Sequence, residues 1–237
     1  MMGPRARLVC PAIRWRRGSF QSEQVKIKEA LAAGVGGFIV FGGTRAAVTS
    51  LTAELRTNAG RPLLLGSDLE RGAGQQIRGL TELPPPAALG FLNDLAATAR
   101  AGEITAIEAR AVGLNWIFAP VCDLDIEPKN PIVQTRAFGA EPAQAGAHAA
   151  AWIKGCQEQG VMACAKHYPG HGRTTTDSAP AIRKEWTSRR TLALADKAPW
   201  PVSQAERTAC APDTSRREMP VSSSSPSLNH SGVRSAG

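Results

Sequence analysis

Five short, near-continuous apolar runs alternate with helix-length segments, and that alternation limits what the chain can become. The runs are Leu8–Ile13, Gly37–Phe41, Pro62–Gly66, Leu114–Val121 and Val161–Ala165. Each lacks the polar–apolar alternation of a strand with one wet face, so each predicts a strand buried on both sides. Between them the spacing predicts helices from Ser22 to about Ala33, Thr44 to about Asn58, Asn93 to about Val112, and Pro142 to about Gln159. Gly34, Gly60, Gly113 and Gly160 follow these segments as stop signals. Strand–helix alternation of this kind means a parallel sheet covered on both faces.

The polar residues narrow the choice of parallel fold. Asp68 follows the third run, Asp123 and Asp125 the fourth, and Lys166-His167 the fifth, so all fall at C-terminal strand ends. The two longest predicted loops, Leu69–Phe91 and Cys122–Ala140, open on the same side. Barrels and doubly wound sheets both place their sites there. A doubly wound nucleotide binder needs a Gly-x-Gly-x-x-Gly turn after its first strand, and none is present. The expectation is a (β/α)8 TIM-type barrel, incomplete here, with about five parallel strands.

Composition excludes several functions. The net charge of +8 invites a nucleic-acid reading, but residues 21–180 are nearly neutral and the excess arginines sit at the two ends. No basic, aromatic-interleaved stripe crosses the body, so nucleic acid is not expected as a partner. No apolar run reaches the ~18 residues of a membrane span, and Arg14, Arg16 and Arg17 interrupt any leader-like segment. Five cysteines, an odd number without a C-x-x-C pair, argue against a disulfide framework or a structural zinc site and point to a reducing, cytoplasmic setting.

The candidate site residues carry several chemistries. Asp68 and Glu70 place two carboxylates two residues apart at a strand end. Asp123 and Asp125 form a second pair, and Asn130, Thr135 and Arg136 add hydrogen-bond donors in the following loop. Lys166, His167, His171, Arg173 and Asp177 share one loop that Pro169, Gly170 and Gly172 keep out of helix. His167 and His171 have a zinc-like spacing, and a metal-dependent hydrolase using them with Asp177 is one reading. The proline and glycine between them argue against the helix such a pair needs, so neither metal nor cofactor is expected. The other reading is a mixed set of carboxylates and cations matched to a polyhydroxylated ligand.

Three motifs give the chain a family resemblance. They are Lys166-His-Tyr-Pro-Gly-His-Gly-Arg-Thr-Thr-Thr-Asp-Ser178; Phe118-Ala-Pro-Val-Cys-Asp-Leu124 with Asn130-Pro-Ile-Val-Gln-Thr-Arg-Ala-Phe-Gly139; and Asp68-Leu-Glu-Arg-Gly72. Together they resemble the N-terminal barrel domain of glycoside hydrolase family 3, in its bacterial β-N-acetylglucosaminidase branch, over residues 8–178. Leu69 and Arg71 depart from the family pattern. The resemblance implies a glycosidase that retains anomeric configuration on terminal β-linked N-acetylglucosamine, or on β-glucosides as the alternative. It implies Asp68, Asp123, Arg136, Lys166 and His167 as substrate-binding residues and a carbohydrate as the partner. It also implies an acid/base histidine in an Asp-Ser-His triplet, which reads Asp177-Ser178-Ala179 here. Asp177 is then the partner of a missing histidine, and no nucleophilic aspartate follows a strand-like run downstream. Residues 179–237, rich in Ser, Arg and Pro, read as a divergent tail of disordered composition. A change of reading frame at or soon after Ser178 would account for it. The expectation is a truncated or impaired, aggregation-prone enzyme, with a non-catalytic sugar binder as the rival.

Overall fold

The five apolar runs become the wall of one parallel sheet. A computed structural model describes residues 4–175. Its strands are β1 (Ala12–Arg14), β2 (Gly37–Phe41), β3 (Leu64–Ser67), β4 (Trp116–Ile117) and β5 (Met162–Ala163). They lie in the order β1-β2-β3-β4-β5, every neighbouring pair parallel. Register runs Ala12↔Ile39, Gly37↔Leu64, Gly66↔Trp116 and Trp116↔Met162. A doubly wound sheet reverses its strand order at a switch point, and this one does not. Sequential order is that of a barrel wall, with five strands among the described residues where a closed barrel has eight. The described residues therefore build part of a TIM-type barrel wall, as the sequence leads one to expect.

Helices α1 (Gln24–Ala33), α2 (Arg45–Ala59), α3 (Pro86–Leu92), α4 (Leu95–Ala111) and α5 (Pro142–Gln157) make the return crossings. Strand alternation fixes which side they cover. Phe38 and Val40 of β2 and Leu65 of β3 are fully buried in one core with Val48, Leu51 and Leu55 of α2. The intervening positions face the barrel interior, where Leu64 and Met162 stay exposed beside the incomplete wall. Thr44 caps α2 by accepting from the Ala47 amide, as its place before the helix predicts. Helices α4 and α5 touch through backbone: a Cβ on Gly155 would lie 2.0 Å from the Ala99 carbonyl oxygen, and one on Gly102 would lie 2.2 Å from that of Trp152.

Three local expectations are corrected. The first strand begins at Ala12 rather than Leu8, because residues Pro4–Leu8 form a 3-10 turn and Pro11 has no amide to extend the ladder. The loop over Leu69–Phe91 contains a helix: Pro86 takes the first position of α3, where its missing N–H costs nothing. Asn93 ends that helix in the left-handed region (φ 53), so the cap of α4 is Asp94, whose carboxylate accepts from the Ala96 and Ala97 amides. The fourth run pairs as a ladder only at Trp116–Ile117, interrupted by Pro120, and resumes as a lone bridge between Val121 and Lys166. That bridge sets Cys122-Asp123 directly beside Lys166-His167.

Candidate functional site

Strand ends β3, β4 and β5 deliver the expected residues to one face. Asp68 leaves β3 one residue past its end, and Lys166 reaches it across the sheet: Nζ donates to Asp68 Oδ1 at 2.8 Å and to Glu70 Oε1 at 2.6 Å. The 3-10 turn Gln134–Arg136 brings Arg136 over the same carboxylate. Its Nε donates to Glu70 Oε2 at 2.9 Å and its Nη2 to Oε1 at 2.8 Å, a two-pronged pair, while Nη1 donates to the Ile132 carbonyl at 3.0 Å. The sequence therefore predicts Asp68, Arg136 and Lys166 at one place, and the structure puts them there.

Glu70, a candidate carboxylate in the sequence but outside the substrate-binding set that the resemblance implies, joins them. Its side chain is 7% exposed, and its amide donates to the Gln75 side-chain carbonyl at 2.7 Å. Burial alone would raise its pKa; hydrogen bonds and charge from Arg136 and Lys166 outweigh that and hold it at about 2, against an ordinary 4.5. The same pairing raises Arg136. The available signal was the Asp68-x-Glu70 spacing at a strand end, which identifies two carboxylates without saying which one is buried.

Asp123 is expected to contact substrate, and the structure shows it buried against His167. Its side chain is 0% exposed, with one oxygen facing His167 Nδ1 and the His167 amide and the other accepting from the His171 amide. Burial would raise its pKa, but these hydrogen bonds and nearby imidazole charge lower it. An ionised carboxylate only accepts, so His167 Nδ1 must carry a proton, and Nε2 is left to accept when the ring is neutral. Asp123 thus orients His167 and holds the His171 backbone. Asp125, two residues on, is exposed, so the two aspartates do not act as a pair.

The loop over this face is tied down locally. Buried Asn130 accepts from the Ile132 and Val133 amides and donates to the His171 carbonyl at 2.6 Å, linking the β4–α5 loop to the β5 loop. The rings of His167 and His171 meet edge-on at 4.7 Å. Gly172 passes so close that a Cβ there would lie 2.6 Å from the Leu124 carbonyl oxygen. Among the described residues no three His, Cys, Asp or Glu side chains are placed to share a metal ion. Asp177, Ala179 and the tail from 179 lie outside the described residues.

The uncommitted valences suit hydroxyl groups. Lys166 has spent two of three N–H groups and Arg136 three of five. Asp68 Oδ2 and His167 Nε2 carry no protein hydrogen bond among the described residues. Donors and acceptors therefore alternate over a partly exposed patch, with Asp68 at 31% and Arg136 at 34% side-chain exposure.

Comparison with known proteins adds the following. Residues 9–203 match the glycosyl hydrolase family 3 N terminal domain. The match continues past Ser178, so the likeness does not break off where the quoted motifs end. A beta-hexosaminidase of Bordetella avium is 35% identical over 191 residues, covering 76% of this chain and 53% of that protein. A beta-N-acetylglucosaminidase/beta-glucosidase of Cellulomonas fimi is 38% identical over 138 residues, 58% of this chain and 24% of that one. The chain thus spans from a quarter to a half of these relatives. Among solved structures, a glycoside hydrolase family 3 beta-N-acetylglucosaminidase from Paenibacillus sp. superposes with a TM-score of 0.66 at 31% identity, covering 73% of this chain and 34% of that one.

Proposed function

The chain belongs to glycosyl hydrolase family 3, and on that premise we propose that the cluster at the ends of β3, β4 and β5 binds the terminal sugar of a β-linked N-acetylglucosaminide. The observation that carries this reading is the Asp68–Lys166–Glu70–Arg136 chain of contacts at the C-terminal strand ends. Asp68 accepts from a ring hydroxyl, Lys166 and Arg136 donate to hydroxyl oxygens, and His167 Nε2 completes the set from the Asp123 side. Such a set recognises a neutral polyol by direction rather than by net charge. N-acetylglucosamine is chosen because the beta-hexosaminidase and beta-N-acetylglucosaminidase relatives are named for aminosugars. A β-glucoside is the second reading, favoured by the double name of the Cellulomonas fimi relative.

Cleavage with retention needs a carboxylate nucleophile and a proton donor for the leaving oxygen. Asp68 and Glu70 are tied to cations, and Asp123 is sealed under His167. At Ala179 a methyl group stands where the resembling triplet has histidine. The reading is therefore a chain that holds the sugar and cleaves it poorly or not at all. A cytoplasmic setting is proposed on the cysteine pattern, five cysteines without a C-x-x-C pair.

Titration calorimetry with N-acetylglucosamine, beside a turnover assay on an aryl β-N-acetylglucosaminide, tests both halves. Saturable binding without turnover is expected. Turnover at rates ordinary for glycosidases would overturn the second half, and absence of binding to either N-acetylglucosamine or glucose would overturn the first.

A further inference from the structure

Four charged side chains share the sugar-facing cluster: the carboxylates of Asp68 and Glu70 and the cations of Lys166 and Arg136. They cancel. Glu70 supplies half of the negative charge from a position no ligand reaches, since both its oxygens are engaged and its side chain is 7% exposed. Its two partners, in contrast, keep N–H groups available on the ligand side. We infer that Glu70 is a positioning and specificity-determining residue: it aims Lys166 and Arg136 and neutralises them, so that the site accepts an uncharged pyranose and gains nothing from an anionic one.

Geometry and charge separate in this arrangement. Lys166 has a second anchor in Asp68, at 2.8 Å, and Arg136 has one in the Ile132 carbonyl, at 3.0 Å. Neither cation is released when Glu70 loses its charge. A neutral Glu70 substitute removes one negative charge from beside the two cations and makes the subsite more positive by one unit, with Asp68 and the buried Asp123 as the remaining carboxylates. Two unit charges a few ångströms apart interact strongly enough at a protein-like dielectric to reverse a preference between otherwise similar sugars. Glu70 acts on the ligand only through its partners.

The inference rests on the sugar-binding reading, and the test keeps the two apart. The probes are N-acetylglucosamine and its C6-oxidised analogue, in which a carboxylate replaces the primary alcohol. Calorimetric affinities are compared for the wild-type chain, Glu70→Gln and Glu70→Asp. The wild type is expected to prefer the neutral sugar. Glu70→Gln should weaken the neutral sugar and shift the affinity ratio toward the anionic one by about tenfold or more, a gain that added salt screens. Glu70→Asp keeps the charge and should keep the preference while losing affinity for both. A folding defect alone would lower both affinities and leave their ratio and salt dependence unmoved. Should Glu70→Gln not fold, Arg136→Met tests the same logic with the opposite sign, moving the ratio further toward the neutral sugar. An unchanged ratio in the folded variants, with the wild type binding N-acetylglucosamine, would overturn this inference alone. A wild type that binds neither sugar would overturn the sugar-binding reading and this one with it.

Discussion

Glu70→Gln should also change how stability depends on acid. In the folded chain Glu70 titrates at about 2 and in the unfolded chain near its ordinary 4.5. Its folded pKa is depressed, so the stabilisation is fully present above 4.5 and is lost as pH falls through about 2. The carboxylate is almost wholly buried, so solvent screening takes little from this. Linkage makes the whole contribution about 3 kcal/mol, of which about 2 kcal/mol is lost between about pH 6 and about pH 3. Asp123 shifts in the same direction, so the wild type alone cannot isolate the effect; the difference between wild type and Glu70→Gln can. Urea unfolding, followed by tryptophan fluorescence at a series of pH values, should show that difference shrinking by about 2 kcal/mol as pH falls from about 6 to about 3. A pH-independent difference would refute the Glu70 ion-pair cluster as described.

Other consequences concern packing and the imidazole. Gly155→Val forces helices α4 and α5 apart, because even its Cβ would meet the Ala99 carbonyl at 2.0 Å, and should cost about 1–3 kcal/mol in urea unfolding. Gly146→Ala on the same helix meets nothing within 4 Å and should be neutral or stabilising by up to about 1 kcal/mol; equal losses at both sites would contradict the close helix contact. Asp123→Asn turns an amide group toward three N–H donors that now share one acidic side chain. N-acetylglucosamine affinity should fall by about tenfold or more in calorimetry. An unaltered affinity would mean that His167 needs no orienting carboxylate.

Much of the architecture was readable in the sequence, for identifiable reasons. Near-continuous apolar runs such as Gly37–Phe41 leave few alternatives to a buried parallel strand, and chain order then placed Asp68, Asp123 and Lys166 on one face. Local conformation was less legible. Asn93 and Asp94 are both good helix-capping residues, and only the observed φ of 53 at Asn93 shows that one ends α3 while the other starts α4. Pro120 hid the break in the fourth strand inside an apolar run. At the site, residue types announced a polar cluster but not its depth. Asp68 and Glu70 look alike in sequence, as do Asp123 and Asp125. Burial, a property of the assembled loops, made Glu70 and Asp123 anchors and left Asp68 facing outward.

The central claim is that one patch, at the ends of β3, β4 and β5, holds the sugar. A crystal structure of the full chain soaked with N-acetylglucosamine tests it most directly. The account predicts a pyranose with hydroxyls within hydrogen-bonding distance of Asp68, Lys166, Arg136 and His167, and none touching Glu70 or Asp123. A sugar bound elsewhere, or in direct contact with either buried carboxylate, would contradict it.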